Sequence, residues 1–77
     1  MKEIDKFEEI HDGNYVVITD ISNGKKVHTL ACSFVTEENF RLKVIENERA
    51  RGSYYSINTL EEAEQLGAVP CRMCNPF

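Results

Sequence analysis

At 77 residues the chain is about half of a typical domain, so it holds at most one domain, residues 1–77, built around one small core. Hydrophobic residues make up 42% and charged residues 29%, which excludes a disordered or fibrous chain, and no apolar run approaches a membrane span. Nine basic residues against 13 acidic ones give a net charge of −4, the opposite of the footprint that strong phosphate-backbone binding requires. A chain this short buries only roughly 60% of its unfolded surface, so a disulfide, a metal or a partner is expected to supplement the core.

In chain order, Ile4, Phe7 and His11, with Ile10 beside them, fall at the spacing of one helical face, and Asp12-Gly13 supplies a stop. This predicts an N-terminal helix over about 2–11. Asn14 to Thr19 is rich in β-branched and aromatic residues, and Ser22-Asn23-Gly24 separates it from Lys25-Lys26-Val27-His28. The pattern predicts a hairpin with Asn23-Gly24 in a type I′ turn and His28 at the end of its second strand. Thr36 before Glu37 and Glu38 reads as an N-cap with an acidic first turn, and Phe40, Val44 and Ile45 as the buried stripe of a helix over about 37–48. Arg51-Gly52 breaks it, and Ser53 to Ile57 alternates as a third strand. Thr59 with Glu62 forms a capping box, Leu60, Ala63 and Leu66 face inward, and Gly67 ends the helix. These elements describe a small α+β domain, a β-hairpin and third strand with short helices.

The chemistry lies in Cys32, Cys71 and Cys74. Three cysteines cannot pair fully within one chain, and the acidic N-terminus differs from an apolar export signal, so a cytoplasmic protein with persistent thiols is expected. Cys71 and Cys74 form a C-x2-C knuckle, in which a tight turn converges two sulfurs on one ion. His28 and Cys32 add an H-x3-C pair. Together they supply three thiolates and one imidazole, a complete tetrahedral shell for Zn2+. Four protein ligands leave no position for water, which argues against hydrolysis at the metal. A redox dithiol belongs at a helix start, whereas three residues follow this knuckle, and iron-sulfur clusters use four thiolates. Were the cysteines ordinary buried residues and His28 a surface histidine, the two spaced pairs would have no explanation.

The segment Val27 to Cys32, followed by Ile57 to Pro76, resembles the Ada metal-binding domain. The shared pattern is a ligand, three residues and Cys, then a strand, a Ser/Thr-capped helix with a central Ala, Gly-x-x-Pro-Cys-x-x-Cys, and a Pro soon after. The first 24 residues and Thr36 to Arg51 have no counterpart. The resemblance implies an α+β zinc domain in which His28, Cys32, Cys71 and Cys74 hold the hairpin end against the C-terminal knuckle. In the DNA-repair members a zinc-bound Cys at the position matching His28 accepts a methyl group from a DNA phosphotriester. An imidazole whose lone pair is given to the metal cannot do so, and His variants resemble domains appended to other bacterial proteins, where the zinc is structural. The inserted helix between Cys32 and Cys71 is where individual function is expected.

Arg41, Lys43, Arg49 and Arg51, with Tyr54 and Tyr55 following, are candidates for contacting nucleic acid by phosphate pairing and stacking. Glu46 and Glu48 among them favour a solvated helix face instead. Arg72, between the knuckle cysteines, is a candidate donor to a thiolate or an anion. His11 has no spaced partner, and the adjacent carboxylate pairs diverge on a helix, so no catalytic residue is expected. The sequence therefore reads as a non-enzymatic, bacterial or phage-like zinc domain that binds a protein partner as adaptor or inhibitor. A nucleic-acid-binding module is the first alternative, and a methyl acceptor using Cys32, Cys71 or Cys74 the second.

Overall fold

The computed structural model describes residues 2–76. Five strands form one mixed sheet: β1 (Lys2–Glu3), β2 (Tyr15–Asp20), β3 (Gly24–Thr29), β4 (Tyr54–Ile57) and β5 (Val69–Pro70), in spatial order β1-β4-β2-β3-β5. All neighbours are antiparallel except β3 and β5. A 3-10 helix covers Phe7–Asp12, α1 (Glu37–Phe40) continues as a π-helical segment Arg41–Glu46, and α2 covers Leu60–Gln65. This is the small α+β domain that the sequence implies. Among the described residues no helix is long and apolar enough to cross a membrane.

The hairpin forms as expected but its turn differs. Asp20 pairs with Gly24, leaving three residues in the loop, and Asp20 Oδ1 accepts the amides of Ser22 and Asn23 at 2.8 and 3.2 Å. Only Gly24 takes a positive φ, 78°, so the turn is a three-residue loop closed by a left-handed glycine rather than type I′.

The expected N-terminal helix over 2–11 is replaced by an edge strand and a 3-10 helix. Lys2 and Glu3 pair with Ser56 and Tyr55, and the Ile4 amide continues the contact to the Tyr54 carbonyl at 3.0 Å. Glu9 Oε1 then accepts the amides of Asp5 and Lys6, while its other oxygen meets Lys2 Nζ at 2.7 Å. Ile4, Phe7 and Ile10 recur every third residue, which is the period of a 3-10 helix, and His11 is exposed.

Strand alternation sends side chains to two separate cores. Val16 joins Ile4, Ile10, Val35, Phe40, Val44 and Tyr54 on one face, with Cys32 and Cys71 in the same cluster. Val17 joins Val27, Ile57, Ala63 and Ala68 on the other, beneath α2. The first core is organised by Phe40, whose ring stands edge-on to Tyr54 at 5.2 Å and tilted against Phe7 at 5.8 Å.

Thr36 caps α1 by accepting the Asn39 amide at 3.2 Å. Beyond Phe40 the helix widens, and the Asn47 amide reaches the Leu42 carbonyl five residues back. Phe40 and Val44 are buried as expected, but Ile45 is 53% exposed, because the wider turn puts only one of the two neighbours on the core face. The expected helix to Glu48 stops at Glu46, and Glu48 and Arg49 follow with φ of 50° and 61°. Lys43 binds the Thr19 carbonyl and Asp20, and Arg49 binds the Ile4 carbonyl, Glu3 and Asp5, so the insertion is fastened to the sheet by both.

α2 begins where Thr59 accepts the Glu62 amide at 3.3 Å and Glu62 accepts the Asn58 amide at 3.2 Å. It ends at Gly67, φ 78°, with the Ala68 amide bonded to the Ala63 carbonyl. That reversal aims the chain back along β3 as β5.

Candidate metal centre

The register of β2 and β3 sets His28 opposite Val16, on the face that carries the first core. Past Thr29 the chain folds back, with the Cys32 amide on the Thr29 carbonyl at 3.2 Å and the Val35 amide on the Cys32 carbonyl at 2.9 Å. Cys32 thereby returns beneath the strand end. On the far side, β5 runs parallel to β3, Pro70 lies opposite Val27, and the Cys71 amide bonds to the Val27 carbonyl at 3.0 Å. The Asn75 amide bonds to the Cys71 carbonyl at 2.8 Å, closing the tight turn that brings Cys74 back over Cys71.

The structure brings all four sequence-predicted residues together. One ligand atom from each of His28, Cys32, Cys71 and Cys74 lies within 4.8 Å of every other, a cluster that can hold a metal ion. The three cysteines are free thiols, and Cys32 and Cys71 Sγ stand 3.8 Å apart. His28, Cys32 and Cys71 are buried and Cys74 is half-buried.

Backbone amides surround the sulfurs. Thr29 N–H donates to Cys74 Sγ at 3.3 Å. Burial pushes the Cys32 thiol up to about 11, against the pull of the Phe34 amide. Burial raises Cys71 too, but the amides of Cys74 and Met73 together with the neighbouring Cys32 and Cys74 thiols outweigh it and leave that thiol below its ordinary value. Burial, aided by the Lys26 charge, lowers His28 to about 4, which leaves the imidazole neutral and its lone pair free. The His28 Nδ1 atom is buried with no hydrogen-bond partner, and the ring meets the edge of Phe34 at 6.5 Å. A buried polar atom without a partner is costly unless something binds it, and one nitrogen of this ring lies within 4.8 Å of each of the three sulfurs. The donor set therefore fits a metal.

The residues considered for nucleic acid are divided. Tyr54 is 2% exposed and packed on Phe40, and Arg49 is held by the N-terminal strand. Lys43 and Arg51 line a groove beside the His/Cys cluster together with Arg72, while Arg41 lines a separate hollow with Asp5, Glu8, Glu37 and Glu38. Sequence reasoning missed β5, which delivers Cys71, and the Thr29 amide on Cys74. The available signal was Pro70, which lacks an N–H and suits a short edge strand. Set against protein-family models, curated proteins and solved structures, the chain matches none of them.

Proposed function

We propose that this protein is a non-enzymatic zinc domain in which His28, Cys32, Cys71 and Cys74 form a structural Cys3His site, and that the metal organises a surface for binding a protein partner. The observation that carries this reading is the convergence of four donor atoms within 4.8 Å from two segments far apart in sequence. Two thiolates bound to one tetrahedral zinc at about 2.3 Å stand about 3.8 Å apart, and the Cys32 and Cys71 sulfurs are separated by 3.8 Å. Three soft thiolates with one neutral imidazole favour zinc over calcium or magnesium, and four protein donors complete its shell. When bound, the ion supplies a cross-link between the end of β3 and the C-terminal knuckle. The resemblance to the Ada metal-binding domain agrees with this arrangement of hairpin and knuckle, and His28 in place of a thiolate agrees with a structural ion.

The interaction role is supported by what the site holds in place. Phe34 follows Cys32, Met73 lies between the knuckle cysteines, and both are exposed large apolar side chains. The test is elemental analysis of the purified protein and of His28→Ala, with circular dichroism followed during chelation. One zinc per chain, lost in the variant, and loss of structure on chelation are expected, since structural zinc binding is coupled to folding. A protein that carries no zinc, or stays unchanged when zinc is removed, would refute the reading.

A further inference from the structure

A groove of about 580 Å3 runs between the β2–β3 hairpin, the 37–46 helical segment and the knuckle. His28 and Cys71 lie in its wall, so the cluster and the groove share a boundary. Among the described residues its charged side chains are Lys26, Lys43, Arg51 and Arg72, with Asp20 as the one acid. The groove thus carries a formal +3 in a chain whose total is −4, leaving −7 for the remainder. A bound divalent ion with three thiolates would contribute −1 at its edge, which leaves the groove positive. Lys43 is committed to Asp20. The side chains of Lys26 and Arg72 have no hydrogen-bond or ion-pair partner among the described residues, so two cations stand ready for an outside anion.

The same groove gathers apolar surface. Phe34, Leu42 and Met73 are 50%, 45% and 67% exposed, three of the six large apolar side chains that reach solvent among the described residues, and all three line it. Exposed apolar side chains scattered singly are ordinary, whereas a cluster rimmed by one sign of charge marks a binding surface. Its lining is aliphatic and thioether with one exposed ring. A stacking platform for bases needs successive aromatic faces, and Tyr54 is buried here.

We infer that this groove binds an acidic protein segment bearing two adjacent large apolar side chains, the apolar pair seated among Phe34, Leu42 and Met73 and its flanking carboxylates on Lys26 and Arg72. The inference rests on the reading of the protein as a metal-organised interaction module and names the partner's chemistry. Its positive charge calls for an anion, and its apolar lining without a stacking platform favours a carboxylate-bearing peptide over a nucleic acid. The rest of the chain sums to −7, so a phosphodiester strand longer than the groove runs onto a net-negative molecule. A short acidic peptide confined to the groove does not. Met73, unbranched and polarizable, adapts to apolar side chains of different shape.

The test is a titration of 15N-labelled, zinc-loaded protein, followed by amide chemical shifts, with three probes. One is a peptide of about six residues, about 20 Å when extended, with Asp and Glu flanking a central Phe-Leu, one the same peptide with Ser-Ser at the centre, and one a single-stranded oligonucleotide of similar length. The first peptide is expected to give saturable shifts at Phe34, Leu42, Arg72 and Met73, with at least tenfold weaker binding for the Ser-Ser peptide. The double variant Lys26→Glu, Arg72→Glu is expected to weaken the first peptide at least tenfold while retaining its zinc and dispersed spectrum. Absence of saturable shifts, shifts elsewhere, equal binding of the Ser-Ser peptide, insensitivity to the charge reversal, or tighter binding of the oligonucleotide overturns the inference. Zinc content measured in the same samples separates the two failures. A folded, zinc-loaded protein that ignores the peptide ends the groove proposal alone, while a folded protein without zinc ends the metal reading.

Discussion

If the cluster at His28, Cys32, Cys71 and Cys74 binds an ion only in the folded state, thermal stability must follow free zinc by mass action. Beyond the dissociation constant, each tenfold rise in free ligand adds about 1.4 kcal/mol to the folded state. For a domain of 77 residues, one kcal/mol moves the melting midpoint by about 4–8 °C, so the midpoint should climb about 6–11 °C per decade of free zinc. Buffered zinc spanning several decades, with melting followed by circular dichroism, gives this slope directly. Cys74→Ser removes one donor from the part of the cluster nearest solvent and should flatten it. A wild-type slope that stays below about 2 °C per decade at every buffered zinc level up to millimolar would refute the linkage reasoning.

Three further outcomes follow from particular contacts. Phe40→Ala should destabilise the zinc-loaded protein by about 3–5 kcal/mol, because its ring is 3% exposed between Phe7 and Tyr54, whereas Phe34→Ala, at 50% exposure, should cost less than about 1 kcal/mol; urea unfolding of both checks the contrast. Asp20 is held down to about 2, chiefly by Lys43 and then by the Ser22 amide. Its folded-state value lies below the unfolded one, so its contribution is present above about pH 4 and fades as pH falls toward 2. The stability gap between wild type and Asp20→Asn, measured in urea at matched pH, should therefore narrow over that interval. Thr59→Ala removes the acceptor of the Glu62 amide and should cost about 1 kcal/mol, detectable in the same assay.

The ligand set could be read from sequence because metal chemistry fixes residue types and close spacings: His28 with Cys32 and Cys71 with Cys74 each sit within one turn. The hairpin and α2 could be read for a similar local reason, β-branched alternation in one and Thr59, Glu62 and Gly67 in the other. The misreadings lie where tertiary contacts decide. Lys2–Glu3 and Val69–Pro70 are strands of two residues, too short for any periodicity, and exist only because β4 and β3 present open edges to them. Ile4, Phe7 and Ile10 fit a helical face and a 3-10 turn almost equally, and the Lys2, Glu9 and Asp12 ion pairs select the second. The partners of Lys43 and Arg49 are separated from them by more than twenty residues in sequence, so their internal roles were invisible before the fold. For the same reason the groove was hidden, since Lys26, Leu42 and Arg72 come from three distant segments.

The central claim is that one zinc ion sits among three sulfurs and one nitrogen, and X-ray absorption at the zinc edge of the purified protein tests it most directly. Three Zn–S distances near 2.3 Å and one Zn–N distance at about 2.0–2.1 Å are predicted, with the nitrogen shell lost in His28→Cys. A shell dominated by oxygen, a coordination number of five or six, or four sulfurs in the wild-type protein would contradict the account.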